Sequence, residues 1–296
     1  MQKIRVALLM IGMCASSFFV KAVKAEEGLV MNVRQKVNQK ADEVYNLINF
    51  GKEEPLSRDV FRKAYLGYLN LRDADKLNKD EQIISICDFS LSANVKRLWV
   101  INLESHKVLF HTLVAHGQGT GDEFAMNFSN RDNSHQSSLG FYVTQETYSG
   151  DNGYSLKLNG MDRGYNDRAY DRAIVMHGAA YVCDSYIRSN QRLGRSWGCP
   201  AVPVALAGPI INTIKDGTCL YIYYPSKSYL NTSVWLNKTP QVSAEDLIKE
   251  EFLKSNKVQG AKPVAAAVAA PVTAQQAEPL KPQQPLYQGV QLALPQ

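Results

Sequence analysis

The chain has 296 residues, with 33 lysines and arginines against 28 aspartates and glutamates and a formal net charge of +5. Four of those cations lie in the first 25 positions, which contain no acid, so the rest of the chain carries a formal charge of only +1. A chain so near to neutrality lacks the basic surface expected of a nucleic-acid-binding protein.

Residues 1–25 are predicted to be a signal peptide. Lys3 and Arg5 precede an apolar stretch, Val6–Val20, and small residues stand where a signal peptidase reads the chain. The stretch is too short to span a bilayer, and no later segment is long and apolar enough to do so. We therefore expect an exported, periplasmic or otherwise extracytoplasmic protein with no integral membrane segment after cleavage. An uncleaved anchor and lipidation at Cys14 are the alternatives.

Residues 26–94 are predicted to form a helical lead-in to the main domain. Ser57 is a typical helix N-cap residue. Apolar residues recur after it at helical spacing: Val60, Ala64, Tyr68 and Leu71. The segment carries no catalytic signature, so we expect it to pack on the main domain, with contact to a partner as the alternative.

Residues 95–226 have a different pattern, in which short apolar or alternating runs are separated by glycine, asparagine and charged turns. The runs predict six strands, at about 97–103, 108–115, 139–148, 155–159, 173–177 and 218–224. Many short strands with few helical patterns indicate a mainly β fold, a sandwich or barrel with short helices that follows the small helical segment.

Two further segments complete the chain. Residues 227–256 are predicted to be a C-terminal helical extension, because Ser243 and Asp246 fit a helix-capping pattern. Residues 257–296 are rich in alanine, proline and glutamine and cannot bury enough apolar surface to offset the entropy of ordering. We predict a disordered tail there, either a spacer in the envelope or merely solvated.

Cysteine usage leaves two interpretations open. Four cysteines follow the signal peptide: Cys87, Cys183, Cys199 and Cys219. An exported protein is able to form disulfides, so the four make either two bridges or one nucleophile and at most one bridge. No CxxC pair is present, and the histidines lack zinc-site spacing. We therefore expect no metal and no cofactor.

Cys199 is the strongest candidate for a nucleophile. It stands in residues 194–202, which read Gly-Arg-Ser-Trp-Gly-Cys-Pro-Ala-Val. Pro200 suits the first position of a helix, so we expect Cys199 at a helix N-terminus, where unpaired N–H groups and the helix dipole favour a thiolate. The N–H groups of Gly198 and Cys199 are oxyanion-hole candidates. A buried core cysteine or a disulfide partner is the alternative.

His177 is the best candidate for the base that a thiol nucleophile needs. It ends an apolar strand that fixes its backbone, and Gly178 follows with no side chain to block approach. The separation of 22 residues from Cys199 is long enough for a loop to fold back. The Gly178 carbonyl is a candidate acceptor for the second ring nitrogen. His116, which also precedes a glycine, competes for the role, and a structural histidine is the remaining alternative.

Together these motifs resemble the murein L,D-transpeptidase catalytic domain family (YkuD-like). His177 and Gly178, followed by Ser-Trp-Gly-Cys at 196–199, are similar to its signature of a histidine, a spacer and Ser/Thr-His-Gly-Cys. The Gly-Arg-Ser-x-Gly-Cys-Pro-Ala form is that of one branch, and Ser137–Tyr142 resembles its substrate-side loop. The resemblance covers residues 95–225. Trp197 departs from it, because the family has histidine there.

The resemblance implies a mostly β fold and a reaction. Cys199 is expected to attack the L-centre carbonyl of the third residue of a peptidoglycan stem peptide, so that D-Ala leaves and a thioester forms. An amine then resolves the thioester, which makes the protein an L,D-transpeptidase; the acceptor is a second stem or a lysine of an envelope protein. Hydrolysis as a carboxypeptidase or amidase, and wall binding without turnover, are the alternatives.

Substrate contacts are expected from Arg195, Ser196, Trp197 and Tyr142. Arg195 is a candidate to hold a stem-peptide carboxylate by a two-pronged contact, with an ion pair to an acid of residues 162–172 as the alternative. Ser196 caps the turn if it does not bind substrate. Trp197 either walls the groove or only packs, and Tyr142 is expected to line the cleft.

Overall fold

The computed structural model describes residues 33–240. The predicted signal peptide, the helix expected from Ser243 and the predicted tail lie outside the described residues. Among residues 33–240, no helix is both long and apolar enough to cross a bilayer.

An eight-stranded sheet forms the body of the protein. The strands are β1 Ile83–Asp88, β2 Leu98–Asn102, β3 Lys107–Thr112, β4 Gly140–Gly150, β5 Gly153–Gly160, β6 Val175–Ala179, β7 Ala201–Pro203 and β8 Cys219–Tyr223. Their order in the sheet is β3-β2-β1-β8-β4-β5-β6-β7. Two neighbouring pairs, β1 with β8 and β6 with β7, are parallel, and the other neighbours are antiparallel.

The sheet is nearly closed into a barrel. Beyond the end of β3, Ala115 pairs with Ala201 of the opposite edge strand β7. The Ala115 N–H donates to the Ala201 carbonyl over 2.8 Å, and the reverse bond is 3.4 Å long. Closure of this kind removes exposed strand edges. It also brings the loop after β3 against the chain that enters β7.

Helices cover the sheet. Helix α2, Arg58–Asp73, begins after Ser57, as expected, although Ser57 makes no side-chain capping bond. Its apolar stripe is buried in the core at Val60, Phe61, Ala64 and Leu71. The helices are α1 at 33–47, α2 Arg58–Asp73, α3 Asp184–Asn190, α4 Val204–Ile214, α5 Lys227–Thr232 and α6 Val234–Asn237, with a 3₁₀ turn at Gln118–Thr120.

The mainly β fold class and the six expected strands are confirmed, but β1 was not expected. It lies within the predicted helical lead-in, 26–94, yet it occupies the middle of the sheet between β2 and β8. All six of its residues are buried, so it lacks the polar alternation that marks a half-exposed strand. The predicted domain boundary at residue 95 is therefore wrong, because the sheet begins before it.

Asp162 ties the segment after β8 to the sheet. Its carboxylate accepts hydrogen bonds from the Phe141 N–H at 2.7 Å, the Ser233 hydroxyl at 2.5 Å and the Tyr229 hydroxyl at 3.2 Å. Burial raises the pKa of Asp162, and the three donors oppose that rise. Helices α5 and α6 therefore belong to the same packed unit as the sheet.

Candidate active site

The loop that carries Cys199 is fixed by backbone pairing. The Ser196 N–H donates to the His116 carbonyl at 3.0 Å, and the Gln118 N–H donates to the Ser196 carbonyl at 2.8 Å. The Ser196 hydroxyl donates to the Cys199 carbonyl at 2.6 Å and accepts from the Gly198 N–H at 3.1 Å. Ser196 thus closes a tight turn around Cys199. This agrees with the alternative that Ser196 caps the turn.

Gly198 has to be a glycine. Its φ is +123°, which side chains rarely adopt. A methyl group there would lie 2.8 Å from the Gln136 carbonyl oxygen. A methyl group on Gly117 would in turn lie 2.8 Å from the Gly198 Cα. The Ser137 hydroxyl joins the two, because it accepts from the Gly117 N–H at 3.0 Å and donates to the Gly198 carbonyl at 3.1 Å.

The Cys199 thiol is partly exposed and lies beside the start of β6. Its Sγ accepts from the Val175 N–H at 3.5 Å and donates to the Ala173 carbonyl at 3.8 Å. Burial raises the pKa of Cys199, while the Val175 N–H and the Arg172 charge lower it. The thiol is therefore the resting form.

The expected helix N-terminus at Cys199 is wrong. Pro200 does not begin a helix, because β7 starts at Ala201 and α4 starts only at Val204. Pairing of β7 with β6 imposes extended backbone on this stretch, and tertiary pairing overrides the local preference of proline for a first helical turn. The helix dipole consequently does not favour a thiolate at Cys199.

His177 lies in β6, between Ser155 of β5 and Ala201 of β7. Its Nδ1 is 3.1 Å from the Gly178 carbonyl, which only accepts, so Nδ1 carries the proton and Nε2 has a free lone pair. Nε2 makes no hydrogen bond within residues 33–240. Burial lowers the pKa of His177, so the neutral imidazole is favoured.

His177 and Cys199 adjoin the same strand without bonding to each other in this conformation. Sγ contacts the backbone of Val175, two residues before His177. A strand advances by roughly 6.6 Å over two residues.

Gly178 allows α4 to pack closely on this strand. A methyl group on Gly178 would lie 2.9 Å from Ala207 Cβ and 3.2 Å from Val204 Cα. Contact at that distance forces the backbone to shift, so a side chain here would move the carbonyl that holds the His177 ring.

The four residues expected to contact substrate differ in what their side chains contact. Arg195 is ion-paired with Asp122 at 2.7 Å and donates to the Gly121 carbonyl at 3.0 Å, rather than pairing with an acid of residues 162–172. Trp197 is 72% exposed and stacks on His135 with ring centroids 5.0 Å apart. Those two rings form an exposed aromatic surface beside Cys199.

The expectation for Tyr142 is wrong. Its side chain is fully buried, and its hydroxyl donates to the Ser138 carbonyl at 2.9 Å. Tyr142 lies in the first part of β4, where residues 140–144 are all buried, so its ring fills the interior and does not line a cleft.

A family model described as the L,D-transpeptidase catalytic domain (YkuD_2) matches residues 52–223, more than half of the chain. The chain belongs to this L,D-transpeptidase family. The match begins well before residue 95 and includes β1.

Solved structures of L,D-transpeptidases are similar to this chain at low identity. One from Mycobacterium smegmatis is 10% identical, with 49% of this chain and 59% of that chain covered and a TM-score of 0.30. L,D-transpeptidase 1 of Mycobacterium tuberculosis is 11% identical, with 49% and 62% covered and a TM-score of 0.28. One from Xylanimonas cellulosilytica is 12% identical, with 64% and 93% covered and a TM-score of 0.28. This chain thus spans about three fifths of the two mycobacterial chains. No curated protein sequence matches it.

Within this L,D-transpeptidase domain, both ring nitrogens of His116 have partners, which disfavours it as the competing base. It is fully buried, with Nδ1 accepting from the Arg97 guanidinium at 2.8 Å and Nε2 donating to the Asp122 carbonyl at 3.1 Å. Burial, with the nearby Arg97 charge, lowers the pKa of His116 to about 4. His116 therefore joins Arg97 to residues 116–122, the loop that supports Ser196.

Arg97, which no sequence motif marks, anchors that support. Arg97 is fully buried, and its guanidinium also donates to the Val114 and Leu91 carbonyls, at 3.0 and 2.8 Å. Burial lowers its pKa to about 10. The only sequence signal is a charge directly before the apolar run of β2, which is a common arrangement on a protein surface as well.

We expect acid to destabilise the domain through His116. Between pH 6.5 and about 4 the unfolded histidine binds a proton that the folded one does not, so the stability contributed by His116 is present above that range and is lost as the pH falls through it. His116→Gln keeps an acceptor for Arg97 and a donor for the carbonyls but does not titrate. Over this range the wild type should lose up to about 3 kcal/mol more of its free energy of unfolding than the variant. Urea denaturation at several pH values measures the difference, and equal slopes for the two proteins would contradict the assignment.

The described cysteines make no disulfide. Cys87 and Cys219 are fully buried in β1 and β8, while Cys183 and Cys199 keep partial exposure. Within residues 33–240, no three His, Cys, Asp or Glu side chains come together as a metal site.

Proposed function

We propose that this chain is an exported cysteine acyltransferase that acts on the tetrapeptide stems of peptidoglycan. Cys199 attacks the carbonyl of the third stem residue, His177 takes the thiol proton and gives it to the departing amine of D-Ala, and a thioester remains on Cys199. An amine acceptor then attacks the thioester carbonyl and forms a new amide bond. The C–S bond breaks, and His177 passes the proton of the amine to the sulfur, which returns the Cys199 thiol. Support for the substrate class comes from membership in the L,D-transpeptidase catalytic domain family.

One arrangement carries the proposal. A partly exposed cysteine stands in a loop that is fixed on both sides of Gly198, beside a strand that presents a histidine. The Nδ1–H of that histidine is held by the Gly178 carbonyl, so the lone pair of Nε2 is available to accept a proton. A structural histidine in this position would normally have both nitrogens bonded, as His116 does.

The oxyanion donor that we propose is the N–H of Cys199 itself. It makes no hydrogen bond to any residue of the described chain, whereas the Gly198 N–H already donates to the Ser196 hydroxyl. A donor that is free at rest needs no partner exchange when charge develops on the substrate carbonyl. Gly198 contributes by letting the backbone turn at its positive φ.

Product analysis tests the reaction. The mature chain is incubated with a disaccharide-tetrapeptide, and the products are identified by mass spectrometry. We expect crosslinked dimers that have lost one D-Ala. Tripeptide monomers would instead assign water as the acceptor and overturn the transferase. Unchanged substrate, in a preparation whose folding is verified by circular dichroism, would contradict the catalytic proposal.

A further inference from the structure

Arg172 is a partly buried cation bonded only to neutral groups. Its guanidinium donates to four oxygens of the loop between β3 and β4. They are the Ser129 carbonyl at 3.0 Å, the Ser138 hydroxyl at 2.6 Å, the Ser134 hydroxyl at 3.2 Å and the Gln136 carbonyl at 3.0 Å. No carboxylate of residues 33–240 forms an ion pair with it. A partly buried charge without a counter-ion is unfavourable, so Arg172 is suited to an anion that forms nearby.

Two other arginines of the domain are paired with carboxylates, as is usual for this side chain. Arg168 is ion-paired with Asp132 at 2.5 Å on the surface. Arg195 is ion-paired with Asp122 at 2.7 Å. Arg172 differs from both because its hydrogen-bond acceptors are neutral carbonyl and hydroxyl groups and not carboxylates.

Two contacts connect Arg172 to the nucleophile loop. The Gln136 carbonyl that it holds is the group packed against Gly198, 2.8 Å from where a methyl group there would lie. The next residue, Ala173, has a φ of +53° and accepts from Cys199 Sγ at 3.8 Å. An alanine in the left-handed region is strained, and the surrounding structure has to hold it there.

We propose that Arg172 is a positioning residue whose unpaired positive charge stabilises the Cys199 thiolate and whose hydrogen bonds hold residues 134–138 against Gly198. The proposal rests on Cys199 being the nucleophile. Arg172 does not touch the reacting atoms; it acts on them through the loop and through its field.

The other charged and titratable groups around the pair do not supply this charge. Asp132 and Arg168 face Arg172 but neutralise each other at the surface. On the thiol side, burial raises the pKa of Tyr181 to about 12 and lowers that of His177, so both are neutral near pH 7. The Tyr142 hydroxyl, which also faces Arg172, is neutral because burial raises its pKa. Arg172 is then the cation that acts on Cys199, in line with its lowering of the Cys199 pKa.

The test measures alkylation of Cys199 by iodoacetamide as a function of pH, with no stem peptide present. All proteins carry Cys183→Ser, and peptide mass spectrometry follows the Cys199 adduct alone. We expect Arg172→Gln to move the midpoint of the pH profile upward and to reduce the rate below that midpoint by roughly threefold or more. Arg172→Lys keeps the charge and should stay near the wild type, as should the surface control Arg188→Gln, which removes an exposed arginine of α3.

A second pair of variants leaves Arg172 in place in case its removal prevents folding. Ser134→Asp sets a carboxylate against the guanidinium and should raise the midpoint, whereas the matched Ser134→Asn should not. An unchanged midpoint in folded Arg172→Gln or Ser134→Asp, or an equal shift in Arg172→Lys, would overturn the proposal. Because alkylation needs no turnover, that result is distinct from a failure of the proposed reaction, which the product analysis detects.

Discussion

Replacing Cys199 with alanine is expected to reduce turnover of a tetrapeptide stem by about 10⁴-fold or more, because the variant has no atom that can form the thioester. The folded domain should survive, since the thiol makes only long contacts, to Val175 and Ala173. The same variant should lose covalent labelling by a carbapenem, which acylates a nucleophile in the place of a stem peptide. Intact-protein mass spectrometry, with one adduct per wild-type chain and none on Cys199→Ala, is the measurement.

The reactivity of Cys183 determines which labelling reagent can identify the nucleophile. It is partly exposed, and hydrogen bonding to Ser185 lowers its pKa, whereas burial raises the pKa of Cys199. A small alkylating reagent should therefore react readily with Cys183, whose sulfur contacts the Ala180 carbonyl and the Ser185 hydroxyl and no histidine of residues 33–240. Acylation by a carbapenem depends on a base beside the thiol, so we expect its adduct on Cys199.

Cys183→Ser is the matched control for this experiment. It should lose one site of iodoacetamide labelling and keep full turnover and full carbapenem acylation. A carbapenem adduct that persists in Cys199→Ala, or turnover that falls with Cys183→Ser, would contradict the assignment of Cys199 as the nucleophile.

The residues of the nucleophile loop could be found from the sequence because their chemistry is local. Gly198 next to Cys199, and a histidine followed by Gly178, form a pattern that survives any arrangement of the surrounding strands. The local backbone was harder to predict. Pro200 fits a helix start and a strand edge equally well, and pairing of β7 with β6 decides between them. Strand β1 was missed for a similar reason, because a strand buried on both faces has no alternation.

The cations that support the site could not be predicted from the sequence. Arg97 and Arg172 stand 75 positions apart in the chain, and neither belongs to a motif. Each obtains its role from groups that other loops place around it: carbonyls and His116 for Arg97, and carbonyls and hydroxyls of the loop between β3 and β4 for Arg172. Tyr142 shows the converse error. Its place next to a recognised loop suggested that it lines a cleft, whereas residues 140–144 of β4 are all buried and its ring lies in the interior.

Replacement of His177 is expected to have the second large effect on catalysis. His177→Ala should lower kcat/KM for the stem peptide by about 10²- to 10⁴-fold near neutral pH, the usual range for loss of a general base. The thiol has to lose its proton without help in this variant, and burial raises its pKa. The residual rate of His177→Ala should therefore rise about tenfold per pH unit up to the thiol pKa, because it follows the thiolate fraction.

The wild type should respond to pH in a different way. Burial lowers the pKa of His177, so the imidazole remains an available base below its ordinary range, and activity should fall only at more acidic pH than a free histidine would give. The control is His106→Asn, at a turn with a φ of +55° that asparagine tolerates, and it should retain the wild-type profile. Folding of all three proteins is compared by thermal melting, because the Gly178 carbonyl loses its partner in His177→Ala. If folded His177→Ala kept the wild-type pH profile, the thiol would be losing its proton to another group. His177 would then be a structural residue of β6.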